Sequence, residues 1–313
     1  MSKRSRVFTA LLALLLAVTA AACSNTRFGG GDNSAEKTIG LSISTLNNPF
    51  FVDLRDGAQA AATKQGAKLI VTDAQNDATK QANDIQSFIT QNVAAVLVNP
   101  VDSDAIVPSV QAANDAKIPI LALDRGSAGG EVAATIASDN VAGGSIAADF
   151  LAKAVGNGPV FELQGIPGTS AARDRGKGFD TRIATKPGIK VVAKQPAGFD
   201  RGQGLNVTQN LLQANPDVKG IFAQNDEMAL GAIQALGNKA GKVIVVGFDG
   251  TPDGLKAVQA GTMAALVAQQ PKIMGGTGVQ DALKVIAGDK VETQPKIEVK
   301  LVTKDNVADF LKA

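Results

Sequence analysis

Several stretches of this 313-residue chain place a carboxylate, an amide or a guanidinium directly after an apolar run. Asp124 and Arg125 follow ILAL, Asn225 and Asp226 follow IFAQ, and Asp249 follows VVGF. A carboxylate accepts from hydroxyls and a guanidinium donates through a planar fork, so these ends suit a small polar ligand. In STLNNPFF, Asn48 adds a donor and an acceptor, Pro49 suits the first position of a helix, and Phe50 and Phe51 add rings able to stack. Each group also has a purely structural reading. Asp124 and Arg125 fit a surface ion pair, Asp249 a turn, and both phenylalanines a core. Asn225 and Asp226 fit a helix cap, and Asp226 is assigned there. TSAARDRG, which contains Arg175, fits a solvated charged turn, whereas Phe199 in the Gly-flanked loop PAGFDRG suits a core less well.

Composition removes much of the alternative chemistry. The chain has no His, so His-dependent triads, His metal ligands and a His pH switch are excluded. Trp and Tyr are absent too, which leaves Phe as the only stacking ring. No phosphate-binding G-x-x-x-x-G-K-[ST] occurs, and no G-x-G-x-x-G follows a strand-like run. With one Cys there is no zinc cluster, and neither metal nor cofactor is expected. Asp124 and Asp249 could mimic a glycosidase pair. Each stands beside an amide or an arginine, however, which favours ionised acceptors over a raised-pKa acid. Binding without turnover is the expected activity.

These residues need a scaffold that brings strand ends together. From Thr38 onward, strand-like runs alternate with helical spacing: TIGLSI, AKLIVTD, AAVLVNP, IPILALD and ATIAS, then PVFELQG, GIKVVAK, GIFAQ and KVIVVGFD. Alternation of this kind predicts an α/β fold of parallel sheets flanked by helices. The halves repeat weakly. VNPVDSDAIV resembles AQNDEMALGA, and ILALDRG resembles VVGFDGT. Two lobes of one topology would face their polar strand ends across a cleft, where small-molecule sites tend to lie.

The amino terminus reads as an address. Lys3, Arg4 and Arg6 precede an apolar run ending in Ala20, Ala21 and Ala22, so residues 1–22 are expected to be a signal peptide. Cys23 follows directly and resembles the lipid-modified Cys of a bacterial lipobox, with Ala20 where most carry Leu. Residues 23–36, with Gly29, Gly30 and Gly31, form the expected tether. Removing residues 1–22 takes three of the 31 basic residues and leaves 28 against 29 acidic. Near neutrality gives no electrostatic reason to expect nucleic acid.

STLNNPFF, LDRG, ASDN, ELQGIPGTSAARDRG, FAQNDEMALGA and VVGFDGTPDG together resemble the ribose-binding proteins of bacterial ABC importers, within the type I periplasmic binding proteins. The resemblance implies two Rossmann-like lobes, residues 37–138 plus 270–298 and residues 139–269 plus 299–313, with three hinge crossings near Ser138, Gln270 and Glu298. It implies that Asn48, Asp124, Arg125, Arg175, Asn225, Asp249 and Gln269 bind sugar hydroxyls, while Phe50, Phe51 and Phe199 cover the ring. Ser44 is a minor contact in this reading. The implied partners are a monosaccharide, ribose foremost, and a membrane permease, with a chemoreceptor as a further reader. The protein is expected to be a monomer held at the membrane only through its lipid. A sugar-responsive repressor shares the core but needs a helix-turn-helix where this chain has a signal segment. Another pentose, a hexose or a furanosyl signalling molecule fits the same class. The tail from Asp305 extends beyond the resemblance.

Overall fold

Runs rich in Val, Ile, Leu and Ala leave no polar face to put in water, so their strands must lie inside a sheet covered on both sides. The computed structural model describes residues 37–312. The expected signal segment, Cys23 and the tether lie outside the described residues. The first sheet is wholly parallel, built from β1 (Thr38–Ile43), β2 (Lys68–Asp73), β3 (Ala95–Val98), β4 (Ile120–Leu123), β5 (Thr135–Ser138) and β11 (Lys296–Ile297). Its order is β11-β5-β4-β3-β1-β2. The second contains β6 (Gly158–Gln164), β7 (Ile189–Pro196), β8 (Gly220–Ala223), β9 (Ile244–Asp249), β10 (Ala265–Ala268) and β12 (Lys300–Thr303), ordered β12-β10-β9-β8-β6-β7. Strands β6 to β10 thus take the places that β1 to β5 hold in the first sheet. Among the described residues, only β12 runs antiparallel to its neighbour.

Helices fill both faces. Those of the first lobe are α1 (Pro49–Lys64), α2 (Ala78–Thr90), α3 (Val107–Asp115) and, by packing on α1, β3 and β4, α9 (Pro271–Ala287). The second lobe carries α4 (Asn140–Val155), α5 (Ser170–Ile183), α6 (Arg201–Ala214), α7 (Asp226–Leu236), α8 (Pro252–Ala260) and the short α10 (Val307–Phe310). The tail from Asp305 ends in α10, where Val307 joins the core of the second lobe. Strands β10, β11 and β12 are absent from the expected strand set; β11 and β12 form one edge of each sheet, with β10 lying between β9 and β12.

The chain passes between lobes three times, and the passages lie side by side. Asp139 N donates to Ile297 O at 3.0 Å, and Gln270 Nε2 donates to Glu298 O at 2.9 Å. Lys296 also pairs with Asp139 at 3.5 Å.

Helix α4 approaches α5 closely because Gly144 has no side chain. A Cβ there would lie 2.1 Å from the carbonyl oxygen of Arg175 and 2.8 Å from Phe179 N. Since both are backbone atoms, Gly144→Ala must push the helices apart. We expect it to destabilise the fold by about 1–3 kcal/mol, read by thermal denaturation. An unchanged melting temperature would show that this contact has slack.

Candidate functional site

Every strand end that the sequence marks as polar opens toward one cleft, at the carboxyl edges of both sheets. This is where open α/β sheets bind ligands. A cavity of about 250 Å³ lies between the lobes, lined by Asn48, Phe50, Phe51, Asp124, Arg125, Ala171, Arg175, Phe199, Asn225, Asp249 and Gln269. All ten residues expected of the site are brought together there. Ala171 is an addition, and nothing in its small apolar side chain announces it.

The first lobe contributes the β1–α1 turn and the end of β4. Asn48 caps α1, its Oδ1 accepting from Phe50 N at 2.9 Å. That cap aims Phe50 and Phe51 inward, where the rings meet edge to face at 5.2 Å. Both are buried and belong to the first-lobe core as well as to the cavity wall. Their core and site readings therefore coexist. Asp124 and Arg125 are not a surface pair. Each side chain is 3% exposed, and Asp124 Oδ2 lies 3.6 Å from Arg125 Nε. Arg125 Nη1 donates to Pro100 O at 3.1 Å, and its guanidinium lies over the rings of Phe51 and Phe199 at 5.1 and 5.4 Å.

The second lobe answers with Arg175, buried within α5 rather than in a solvated turn. Its Nε donates to Asn140 Oδ1 at 2.8 Å and its Nη1 to Gln224 O at 2.7 Å. Beneath the guanidinium lies Phe248, 4.0 Å from ring centre to Cζ, a favourable cation–π approach. Asp249 Oδ1 stands 3.5 Å from Arg175 Nη1, an ion pair with little hydrogen-bond character, and accepts from Gln269 Nε2 at 2.7 Å. Asn225 caps α7 through Met228 N at 2.9 Å and donates to Phe199 O at 3.2 Å.

Backbone conformation aims three of these side chains. Asp124, Phe199 and Asp249 all have positive φ, at 64°, 59° and 120°. Such conformations are costly outside glycine and cluster where a side chain must be held in one direction. Among the described residues, several atoms find no hydrogen-bond partner: Asp124 Oδ1, Arg125 Nε and Gln269 Oε1. The wall therefore keeps acceptors and a donor available to a hydroxylated ligand.

Two assignments change. Asp226 does not cap its helix, since Asn225 does. Buried Asp226 holds the neighbouring β9–α8 turn, accepting from Gly250 N at 2.9 Å, Thr251 N at 2.8 Å and Thr251 Oγ1 at 3.0 Å. Ser44 is no cavity contact, because its hydroxyl is spent on Asn99 Oδ1 at 2.6 Å. Asn140, Gln224 and Phe248 were not singled out by sequence. The only available signals were Asn140 in ASDN and Gln224 and Phe248 beside marked residues.

The lobes also touch directly. Ser103 N donates to Gly168 O at 3.0 Å, Ser170 N to Ser103 Oγ at 3.2 Å, and Gly126 N to Ser170 Oγ at 2.9 Å.

The family model of the periplasmic binding protein domain matches residues 39–290. The chain belongs to the periplasmic binding protein family. This periplasmic binding protein is 55% identical over 273 residues to the ribose import binding protein of Salmonella typhimurium, covering 86% of this chain and 92% of that protein. The Bacillus subtilis ribose import binding protein is 46% identical, covering 87% and 88%. Among solved structures, a Bacillus halodurans ABC transporter solute-binding protein with bound myo-inositol superposes with a TM-score of 0.85. It is 35% identical, covering 90% of this chain and 99% of that one. Among the described residues no helix is long and apolar enough to cross a membrane, and no group of three His, Cys, Asp or Glu could hold a metal.

Burial sets the electrostatics of this binding protein. Contrary to the sequence expectation of carboxylates held low by their neighbours, it raises the carboxyls of Asp124 and Asp249 above their ordinary range, because burial outweighs the pull of the adjacent guanidiniums. It also lowers Arg125 to about 10, with Asp124 opposing the change. Burial brings Asp226 to about 7 despite its turn hydrogen bonds. These acids hold protons more tightly folded than unfolded. The unfolded chain has shed them by pH 6, so their contribution to stability falls as pH rises toward and past 7. Calorimetry should show a melting temperature about 2–4 °C higher at pH 6 than at pH 8. Asp226→Asn should shrink that gap. A melting temperature that rises over this interval would refute the expectation.

Proposed function

We propose that this chain is the extracytoplasmic solute-binding component of an ABC sugar importer and that it holds D-ribose in the interlobe cleft. The observation that carries the reading is the convergence of all ten expected residues on one cavity of about 250 Å³. The ribose import binding proteins, at 46–55% identity, supply the choice of sugar. In this reading Asp124 and Asp249 accept from hydroxyls, Arg125 and Arg175 donate to them, and Asn48, Asn225 and Gln269 supply neutral partners. Phe50, Phe51 and Phe199 cover the apolar faces of the ring. The relatives named as import binding proteins support a site that holds a sugar without cleaving it.

Because the contacts come from both lobes, only a closed arrangement makes them together, and a ligand then shifts the population toward closure. The three adjoining crossings are our candidate hinge. A permease could read the paired lobe surfaces without touching the sugar.

Titration calorimetry against a sugar panel tests the assignment. Ribose should bind with one site per chain. Asp249→Asn, which keeps the unusual backbone better than Ala would, should weaken ribose by about 1.5–3 kcal/mol, roughly 10- to 100-fold. Wild-type affinity in that variant would remove Asp249 from the site, and no heat with ribose would remove the sugar.

Anchoring is the second part of the proposal. The resemblance of Cys23 and its preceding alanines to a lipobox supports a lipid anchor on the outer face of the cytoplasmic membrane, since acyl chains contribute about 0.8 kcal/mol per buried CH₂. Cys23→Ser should move the protein from the membrane to the released fraction. If it stays bound, the anchor lies elsewhere.

A further inference from the structure

Behind the cleft lies a buried acid that no sugar contact uses. Glu162, in β6, is fully buried, and its Oε1 accepts from Gln224 Nε2 at 2.8 Å. Gln224, at the end of β8, then reaches the cleft wall twice. Its Oε1 accepts from Gly165 N at 2.9 Å, and its backbone carbonyl accepts from Arg175 Nη1 at 2.7 Å. Gly165 is the floor beneath Phe199, since a Cβ there would sit 2.0 Å from the ring. Gly176, the residue after Arg175, leaves room for the pair: a Cβ would lie 3.1 Å from Gln224 Nε2 and 3.4 Å from Glu162 Oε1.

We propose that Glu162 and Gln224 are positioning residues for the cleft, Gln224 holding Arg175 and the floor of Phe199 while Glu162 decides which way the Gln224 amide faces. A carboxylate can only accept, so ionised Glu162 obliges the amide to present its NH₂ backward and its oxygen forward to Gly165 N. A protonated carboxyl can also donate and no longer dictates that orientation. The hydrogen bond then loses its charge assistance. The charged groups facing Glu162 are Lys194 from β7, whose Nζ lies 3.7 Å from Oε2, and Asp180 from α5, which itself pairs with Lys194. Burial, then Asp180, raise Glu162 to about 7, while Gln224 and Lys194 oppose the shift. The control thus falls in the neutral range. Lys194 is partly exposed, which gives the surface a route to the network.

The affinity arm rests on the ribose reading of the cleft, and a spectroscopic arm does not. Ribose affinity of the wild type should weaken about threefold or more from pH 8 to pH 6. Asp124, Asp226 and Asp249 also titrate against burial, so the diagnostic is the part of the profile lost in Glu162→Gln, which keeps an acceptor but cannot ionise. Lys194→Met, a surface change, should move the midpoint to higher pH and stands in if the Glu162 variant fails to fold. By NMR, the Gln224 side-chain amide and the Gly165 N–H that donates to its Oε1 should shift together through one transition near neutrality. That transition should vanish in Glu162→Gln and move up in Lys194→Met. Profiles and resonances unchanged by both variants overturn the inference. Absence of ribose binding with the NMR transition intact overturns the sugar assignment alone.

Discussion

Four charged side chains, Asp124, Arg125, Arg175 and Asp249, are buried in one cleft, and much of the surrounding structure serves to hold them there. Removing such charges from water is costly, and mutual attraction offsets the cost only when further hydrogen bonds complete the geometry. The two ion pairs are loose, at 3.6 and 3.5 Å, so neither is complete on its own. The rest of the support is indirect. Aromatic faces lie against both guanidiniums, Phe51 and Phe199 on Arg125, and Phe248 on Arg175. Backbone carbonyls of Pro100 and Gln224 take one donor each, and Asn140 takes another. Asp124 and Asp249, the carboxylates of these pairs, also carry positive φ, so the same constraint reaches the backbone.

The two lobes solve this with the same device. Asn99, just past β3, accepts from Ser44 N at 3.2 Å, the first residue after β1. Gln224, just past β8, accepts from Gly165 N at 2.9 Å, the first residue after β6. In each lobe a side-chain amide clasps the turn after the lobe's first strand. The second lobe uses the longer amide and adds Glu162 behind it. The repeat seen between VNPVDSDAIV and AQNDEMALGA is therefore a repeat of turn support as well as of strand order.

How legible was this in the sequence? The parallel sheets were, because uninterrupted apolar runs ending in Asp, Asn or Arg cannot be half-solvated strands. The ten converging residues were, through strand-end position and long motifs shared with a known family. What escaped depends on neighbours far along the chain. Asn140 and Arg175 are 35 residues apart, and Glu162 and Gln224 are 62 apart. Asp226 looked like a cap because Asp commonly caps, and only the fold shows that Gly250 and Thr251 arrive beside it. Strand β11 spans only two residues, too few for any periodicity to register. Positive φ at Asp124, Phe199 and Asp249 left no glycine as a signal.

The last strands belong to opposite sheets, β11 beside β5 and β12 against β10. Neither lobe is thus a contiguous stretch of chain. During synthesis the first sheet lacks its edge until residue 297 has emerged, and the second until residue 303, of 313 in all. Contacts that span so much chain form late and slowly. Nascent chains therefore spend most of translation with both sheets unfinished. It also means that no simple truncation at either end yields one intact lobe.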